Sequence, residues 1–173
     1  MFDYSWEKIE KLSAHCQKEN CSFRNKQLVL FGLGMQGTFA IGYLKNKSEN
    51  IYLTDNNKEL WGETINGFSV IPPSHIKELD RPLVMVTTAT RNYASVFRQL
   101  DEMKLEYTTL FQYLFIENLD LFKHIYEEFW YDEKSKKVWR ALIYSKLVGS
   151  LEVMKEIYSA DQYFAIPDFN RIS

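Results

Sequence analysis

Lys26-Gln27-Leu28-Val29-Leu30-Phe31-Gly32-Leu33-Gly34-Met35-Gln36-Gly37 decides the reading of this chain. An apolar run of strand length stops at a glycine. Two further glycines follow at the spacing Gly-x-Gly-x-x-Gly, and Thr38-Phe39-Ala40-Ile41-Gly42-Tyr43-Leu44 continues as a helix. Each glycine has a physical reason in a strand–turn–helix unit: Gly32 permits the sharp exit from the strand, Gly34 lets backbone approach a pyrophosphate, and Gly37 lets the helix pack closely on the strand. A helix starting near Met35 aims its free N–H groups and positive dipole end at bound phosphates, so Gly32, Gly34, Met35, Gln36 and Gly37 are candidate ligand contacts.

Outward from this turn the pattern alternates. Ile51-Tyr52-Leu53-Thr54 is a second strand that ends at Asp55, and a polar Asn56-Asn57-Lys58 turn leads to a short helical stretch closed by Gly62. Asn66-Gly67 marks a turn before Phe68-Ser69-Val70-Ile71, and Pro72-Pro73-Ser74 opens a helix to Leu79. Leu83-Val84-Met85-Val86 is the strongest strand, Tyr93, Val96, Phe97 and Leu100 mark an amphipathic helix, and Tyr107–Leu110 is a last short strand. Strands and helices alternating in this way predict an α/β fold, a Rossmann-like doubly wound, mostly parallel sheet of about five strands.

Before the sheet, Trp6, Ile9, Leu12 and Cys16 recur at helical intervals. Behind it, helical runs at 118–129, 135–148 and 151–158 replace the strands. The expected organisation is an N-terminal helix over 1–20, a Rossmann-like domain over 21–115 and a helical appendage over 116–173. Phe129, Trp130, Tyr131, Trp139, Tyr144, Tyr158, Tyr163 and Phe164 crowd that appendage. So much apolar surface should pack on the sheet domain, on another subunit or on a missing neighbour.

Asp55 lies close to the spacing at which an acidic residue accepts hydrogen bonds from ribose hydroxyls. Followed by two asparagines, it could equally cap the short helix, and Asn56 is a further candidate contact. Thr87, Thr88, Thr90 and Arg91 follow the strongest strand, on the carboxyl edge where ligands of open α/β sheets bind. Thr88 and Arg91 are the candidates for contact with phosphate or sugar, against helix capping and a solvated charge.

Composition narrows the function classes. The apolar fraction of 46% and charged fraction of 25% are those of a globular protein, and 173 residues bury a core without a disulfide or metal staple. A net charge of −2 gives no broad attraction to nucleic acid. The pair Cys16 and Cys21 with His15 lacks a fourth metal ligand, and the thiols are expected to be reduced and incidental. Met1-Phe2-Asp3-Tyr4 has neither the basic start nor the apolar run of a secretory leader, and no stretch reaches bilayer-spanning length, so the expectation is a cytoplasmic protein without membrane contact. His75 and His124 have no Ser, Cys or carboxylate arrangement around them that suggests nucleophilic catalysis, and they read as structural. Asp132-Glu133-Lys134-Ser135-Lys136-Lys137 reads as a solvated turn and helix start. No catalytic acid, base or metal site is evident.

The stretches Leu28–Gly34, Leu53-Thr54-Asp55-Asn56-Asn57 with Trp61-Gly62, and Asn66-Gly67-Phe68-Ser69-Val70-Ile71-Pro72 resemble a known module. It is the Rossmann-like segment found ahead of the catalytic domain in a subset of FkbM-type, S-adenosylmethionine-dependent methyltransferases. Asp132-Glu133-Lys134-Ser135 and Asp161-Gln162-Tyr163-Phe164 look like the linker of those proteins, whose methyltransferase domain begins just after the Gln-Tyr-Phe element. The resemblance implies a piece of a longer protein, with a methyltransferase domain as C-terminal partner, or a stand-alone relative of the accessory domain. A related module precedes the acyl-transfer domain of sugar O-acyltransferases, where it binds a nucleotide-sugar, and Gly34, Gln36, Gly37 and Asp55 are the matching positions.

Three functions are expected to compete. The first is a binding module for a nucleotide-sugar or NAD(P), serving a methyltransferase in glycan or secondary-metabolite modification. The second is a methyltransferase that holds S-adenosylmethionine at Gly32–Gly37 itself. The third is a non-catalytic assembly domain with an empty turn and helices that form a homodimer. An oxidoreductase is disfavoured, since no Tyr-Lys or His arrangement is placed to move a hydride.

Overall fold

The computed structural model describes residues 2–20, 26–48, 50–148, 150 and 152–157. Cys21 and the aromatic and acidic residues singled out between 158 and 164 lie outside the described residues. The helices are α1 (Trp6–Asn20), α2 (Met35–Leu44), α3 (Tyr93–Glu102), α4 (Leu110–Glu117), α5 (Leu119–Glu128), α6 (Glu133–Val148) and α7 (Glu152–Ile157). The strands are β1 (Gln27–Phe31), β2 (Ile51–Thr54), β3 (Thr64–Ile65), β4 (Phe68–Ile71), β5 (Pro82–Val86) and β6 (Glu106–Thr109), with short 3-10 turns at Lys58–Leu60, Pro73–Glu78 and Thr90–Asn92. The chain divides into two compact units, one spanning Lys18–Leu110 and one joining the N-terminal segment to the chain from Phe111 onward.

The first unit is an α/β domain with a six-stranded sheet in the order β3-β4-β2-β1-β5-β6. All neighbours pair parallel except β3 with β4. The sheet grows one way through β2 and β4, then returns past β1 to add β5 and β6 on the other side. That reversal makes it doubly wound and Rossmann-like, with the switch point between β1 and β5. The two strands at the switch are the most apolar and the most deeply placed. Leu28, Val29, Leu30 and Phe31 of β1 and Leu83, Val84, Met85 and Val86 of β5 are all buried, as a parallel strand covered on both faces requires.

Alternation along each strand divides these side chains between two faces. Val29, Phe31, Val84 and Val86 form one core with Ile76 and with Tyr93, Val96 and Leu100 of α3. Ala40, Ile41 and Leu44 of α2, which contacts β1, are buried in turn.

The sheet has one strand more than the sequence pattern predicts. Asn66 and Gly67 have φ of 51° and 86°, the left-handed pair of a two-residue hairpin turn, and they fold Thr64–Ile65 back on β4. Two residues are too short for a period to show, so the turn was legible and the strand was not. The 3-10 turn at Pro73–Glu78 replaces the expected helix to Leu79.

The second unit is helical. Ile9 and Ser13 of α1 are buried, as are Tyr113, Phe115 and Ile116 of α4, Ala141, Ile143 and Leu147 of α6 and Val153 of α7. Trp6 meets Tyr126 edge-on with ring centroids 5.2 Å apart, and Phe122 stacks on Phe115 at 4.2 Å and packs against Trp139 at 6.0 Å. Lys123 bridges to Glu10 at 2.6 Å. Many of the crowded aromatics thus find their partners among themselves and on α1, although Tyr131 stays 92% exposed. Periodicity shows α1 as a helix but cannot say that it belongs with elements a hundred residues away. At the helix start read from the sequence, Asp132 caps α6: its Oδ1 accepts the Ser135 amide at 2.8 Å, which holds its carboxyl below the usual range. Among the described residues no helix is long and apolar enough to cross a membrane.

Candidate functional site

The glycine turn leaves β1 at the carboxyl edge of the sheet, beside the switch point. Its three glycines do different work. Gly32 has φ of +109°, a conformation L side chains rarely adopt, and a Cβ there would stand 2.4 Å from Cγ2 of Thr88. Gly37 lies where α2 crosses back over the turn, and its Cβ would come 2.1 Å from the Gly32 carbonyl oxygen. Both positions are filled by protein. Gly34 is the opposite: beyond its own chain neighbours and the adjoining turn, no atom lies within 4 Å of where its Cβ would be.

Gly34 is also the N-cap of α2, in extended conformation, with no side-chain cap and no acidic residue in the first turn. The amides of Met35, Gln36 and Gly37 have no intrahelical acceptor, as at any helix start. Met35 is 91% exposed, and Gln36 is half-buried with its Oε1 enclosed and lacking a hydrogen-bond partner among the described residues. The positive end of α2 is therefore left without a capping side chain or an acidic residue of its own first turn.

The turn is braced from both neighbouring strands. Thr87, at the end of β5, is buried. Its amide donates to the Phe31 carbonyl at 2.8 Å, and its hydroxyl lies 2.7 Å from the Gly32 carbonyl and 3.0 Å from that of Phe31. From β2, the Gly32 amide donates to the Thr54 carbonyl at 2.9 Å, and the Leu33 amide donates to Oδ2 of Asp55 at 2.9 Å. The other Asp55 oxygen accepts the Asn57 amide at 2.9 Å, and its carbonyl accepts the Trp61 indole N–H at 2.8 Å.

The short helix after β2 is capped by Asn57, whose side chain accepts the Glu59 amide at 3.1 Å, and not by Asp55. Asn56 exchanges two amide hydrogen bonds with Gln99 of α3, at 3.0 and 3.1 Å. Gln99 lies forty-three positions along the chain, and nothing in its local pattern signals that pairing.

Thr88 packs its methyl group over Gly32, and its hydroxyl donates to the Ala89 carbonyl at 3.3 Å. Arg91 is exposed, and its side chain makes no ion pair or hydrogen bond among the described residues. Beneath this edge Tyr93 is buried beside Thr109 and Thr90, its hydroxyl without a well-formed hydrogen bond. Burial pushes the phenol pKa up. His75 and His124 are both exposed, and among the described residues no group of three His, Cys, Asp or Glu side chains could hold a metal.

Strand order, switch point and glycine turn together define a Rossmann-like α/β domain. No family model matches this chain, and no curated protein and no solved structure matches it.

Proposed function

We propose that the sheet unit is a binding module for a nucleotide-sugar or dinucleotide, held by its phosphates at the start of α2. One observation carries this reading. Of three glycines in one turn, two are crowded by the fold and the third has room for a side chain at an uncapped helix start. A fold that needed only a tight turn would need Gly32 and Gly37 and would tolerate a side chain at Gly34. An open glycine beside unpaired amides is what close approach by a phosphate requires.

In this reading Gly34, Met35, Gln36 and Gly37 contribute backbone amides, and Arg91 adds an exposed positive charge. The likeness of the sequence to the segment ahead of FkbM-type methyltransferases supports a cytoplasmic accessory role beside a methyltransferase domain that modifies glycans or secondary metabolites. In this reading the turn binds, and the chemistry belongs to that partner.

The test is a thermal-shift and calorimetry panel of NAD(H), NADP(H), UDP-sugars, GDP-sugars and S-adenosylmethionine. A nucleotide-sugar or dinucleotide is expected to raise the melting temperature. Response to S-adenosylmethionine alone would turn the reading into that of a methyl-donor site. Silence across the panel would leave an assembly domain whose turn holds nothing.

A further inference from the structure

Among the described residues of the helical unit, the enclosed side-chain polar atoms that lack a partner are all N–H donors: the indole Nε1 of Trp6 and of Trp130, and Nε of Arg140. Native folds leave few such groups, and each calls for an acceptor. Trp6 and Arg140 meet at one ring. The Arg140 guanidinium lies over Tyr126 with Cζ 5.3 Å from the ring centroid, and its Nη1 donates to the Tyr126 hydroxyl at 2.6 Å. Trp6 meets the same ring edge-on, with centroids 5.2 Å apart. Lys136, one turn earlier on α6, brings its Nζ to 5.5 Å from that centroid.

Positive charge at this ring is unbalanced. Among the described residues no carboxylate pairs with Arg140, and Glu133, itself 85% exposed, reaches Lys136 only at 4.0 Å. The free part of the guanidinium is also the selective part. Nη1 is engaged by Tyr126, while Nε and Nη2, the edge on which arginine grips an oxyanion with two parallel bonds, have no hydrogen bond among the described residues. Arg140 and Lys136 are each half-buried, so the pair keeps some surface toward solvent.

We propose that Arg140 and Lys136 form a site for a phosphate group of a small ligand. The Nε–Nη2 edge of Arg140 takes two of its oxygens, Lys136 supplies the second positive charge, and the Trp6 indole N–H donates from beside Tyr126. A phosphate group carries about two negative charges near neutral pH, which matches two cations where a single carboxylate matches one. This site lies wholly within the helical unit and stands whether or not the glycine turn holds a ligand.

The experiment is a titration of the full chain with inorganic phosphate, with acetate, and with sodium chloride as the ionic-strength control. Proton–nitrogen NMR follows the indole and arginine Nε–H resonances. Phosphate is expected to move the Trp6 indole and Arg140 Nε–H signals along a saturating curve, and acetate to bind at least about threefold more weakly. Arg140→Gln should weaken phosphate by about tenfold or more, the loss of hydrogen bonds to a charged group. Lys136→Gln should bring phosphate down to the affinity of acetate and leave acetate unchanged. Shifts that sodium chloride reproduces, or that Arg140→Gln leaves intact, overturn the site, as does the absence of a saturating shift with either anion. Acetate binding as tightly as phosphate overturns the two-cation assignment. Should Arg140→Gln fail to fold, Arg140→Lys, which keeps the charge without the fork, is expected to show the same loss, and the anion series on the unaltered chain decides by itself.

Discussion

Gly32 and Gly37 sit a few ångströms from Gly34, and the two kinds of position answer to different demands. Around Gly32 and Gly37 the protein has closed in: Thr88 stands over one, and the Gly32 carbonyl itself stands against the other. Around Gly34 nothing has closed in at all. A motif of three identical residues therefore contains two positions selected by packing and one left free by it. Only the free one speaks about a ligand. A glycine motif counted as a unit overstates the evidence for binding, and the same motif resolved position by position shows where that evidence sits.

Four substitutions probe that contrast. The largest effect is expected at Gly37→Ala, where the new methyl meets backbone that cannot rotate away. A loss of about 3 kcal/mol or more is expected in chemical denaturation, beyond the usual cost of overpacking. A loss below about 1 kcal/mol would show that α2 can shift, and the crowded half of the contrast would fall. Thr87→Val comes next: it keeps the shape but strips the Gly32 carbonyl of its hydroxyl partner, and about 1–2 kcal/mol should be lost.

Gly34→Ala is expected to cost at most about 1 kcal/mol, since the extended backbone there suits any residue and only the cap preference is lost. Its ligand affinity should nonetheless fall by about tenfold or more through the lost close approach. Stability held and affinity lost is the combination that sharpens the contrast. Stability lost alone would erase it.

The smallest effect is expected at Tyr93→Phe. The buried hydroxyl lacks a well-formed hydrogen bond, so removing it should cost nothing and could gain up to about 1 kcal/mol. Its pH signature has a definite sign. Burial holds the folded-state pKa of Tyr93 above the ordinary value, so the unfolded chain loses this proton first as pH rises. The stability tied to the neutral phenol is complete below the ordinary tyrosine range and is lost as pH climbs through the raised value. Denaturation curves of Tyr93→Phe should show a shallower alkaline decline than the parent chain.

Much of the sheet was legible because burial on both faces writes itself into composition. Leu28–Phe31 and Leu83–Val86 are apolar throughout, and each glycine or polar turn punctuates an element. Less visible was any element too short or too uniform for a period. β3 has two residues, and α4 is apolar on most sides, so its Leu110–Glu117 run gave no stripe to read. At the candidate site the residues could be picked out along the chain, but the bonds that brace them could not: the Asp55 carboxylate holds the amide of Leu33. That bond joins positions twenty-two apart, brought together only by the parallel pairing of β1 with β2.

By itself the sequence determined a doubly wound α/β fold, the place of its glycine turn and the carboxyl edge where a ligand would meet it. Local steric rules and hydrophobic periods act between near neighbours, and those are written in order along the chain. Tertiary structure alone decided that the N-terminal helix belongs with the C-terminal helices, that Asn56 is paired with Gln99, and that Gly34 is the glycine left open. These depend on which distant segments arrive at the same point in space. No window of sequence contains both partners of such a contact.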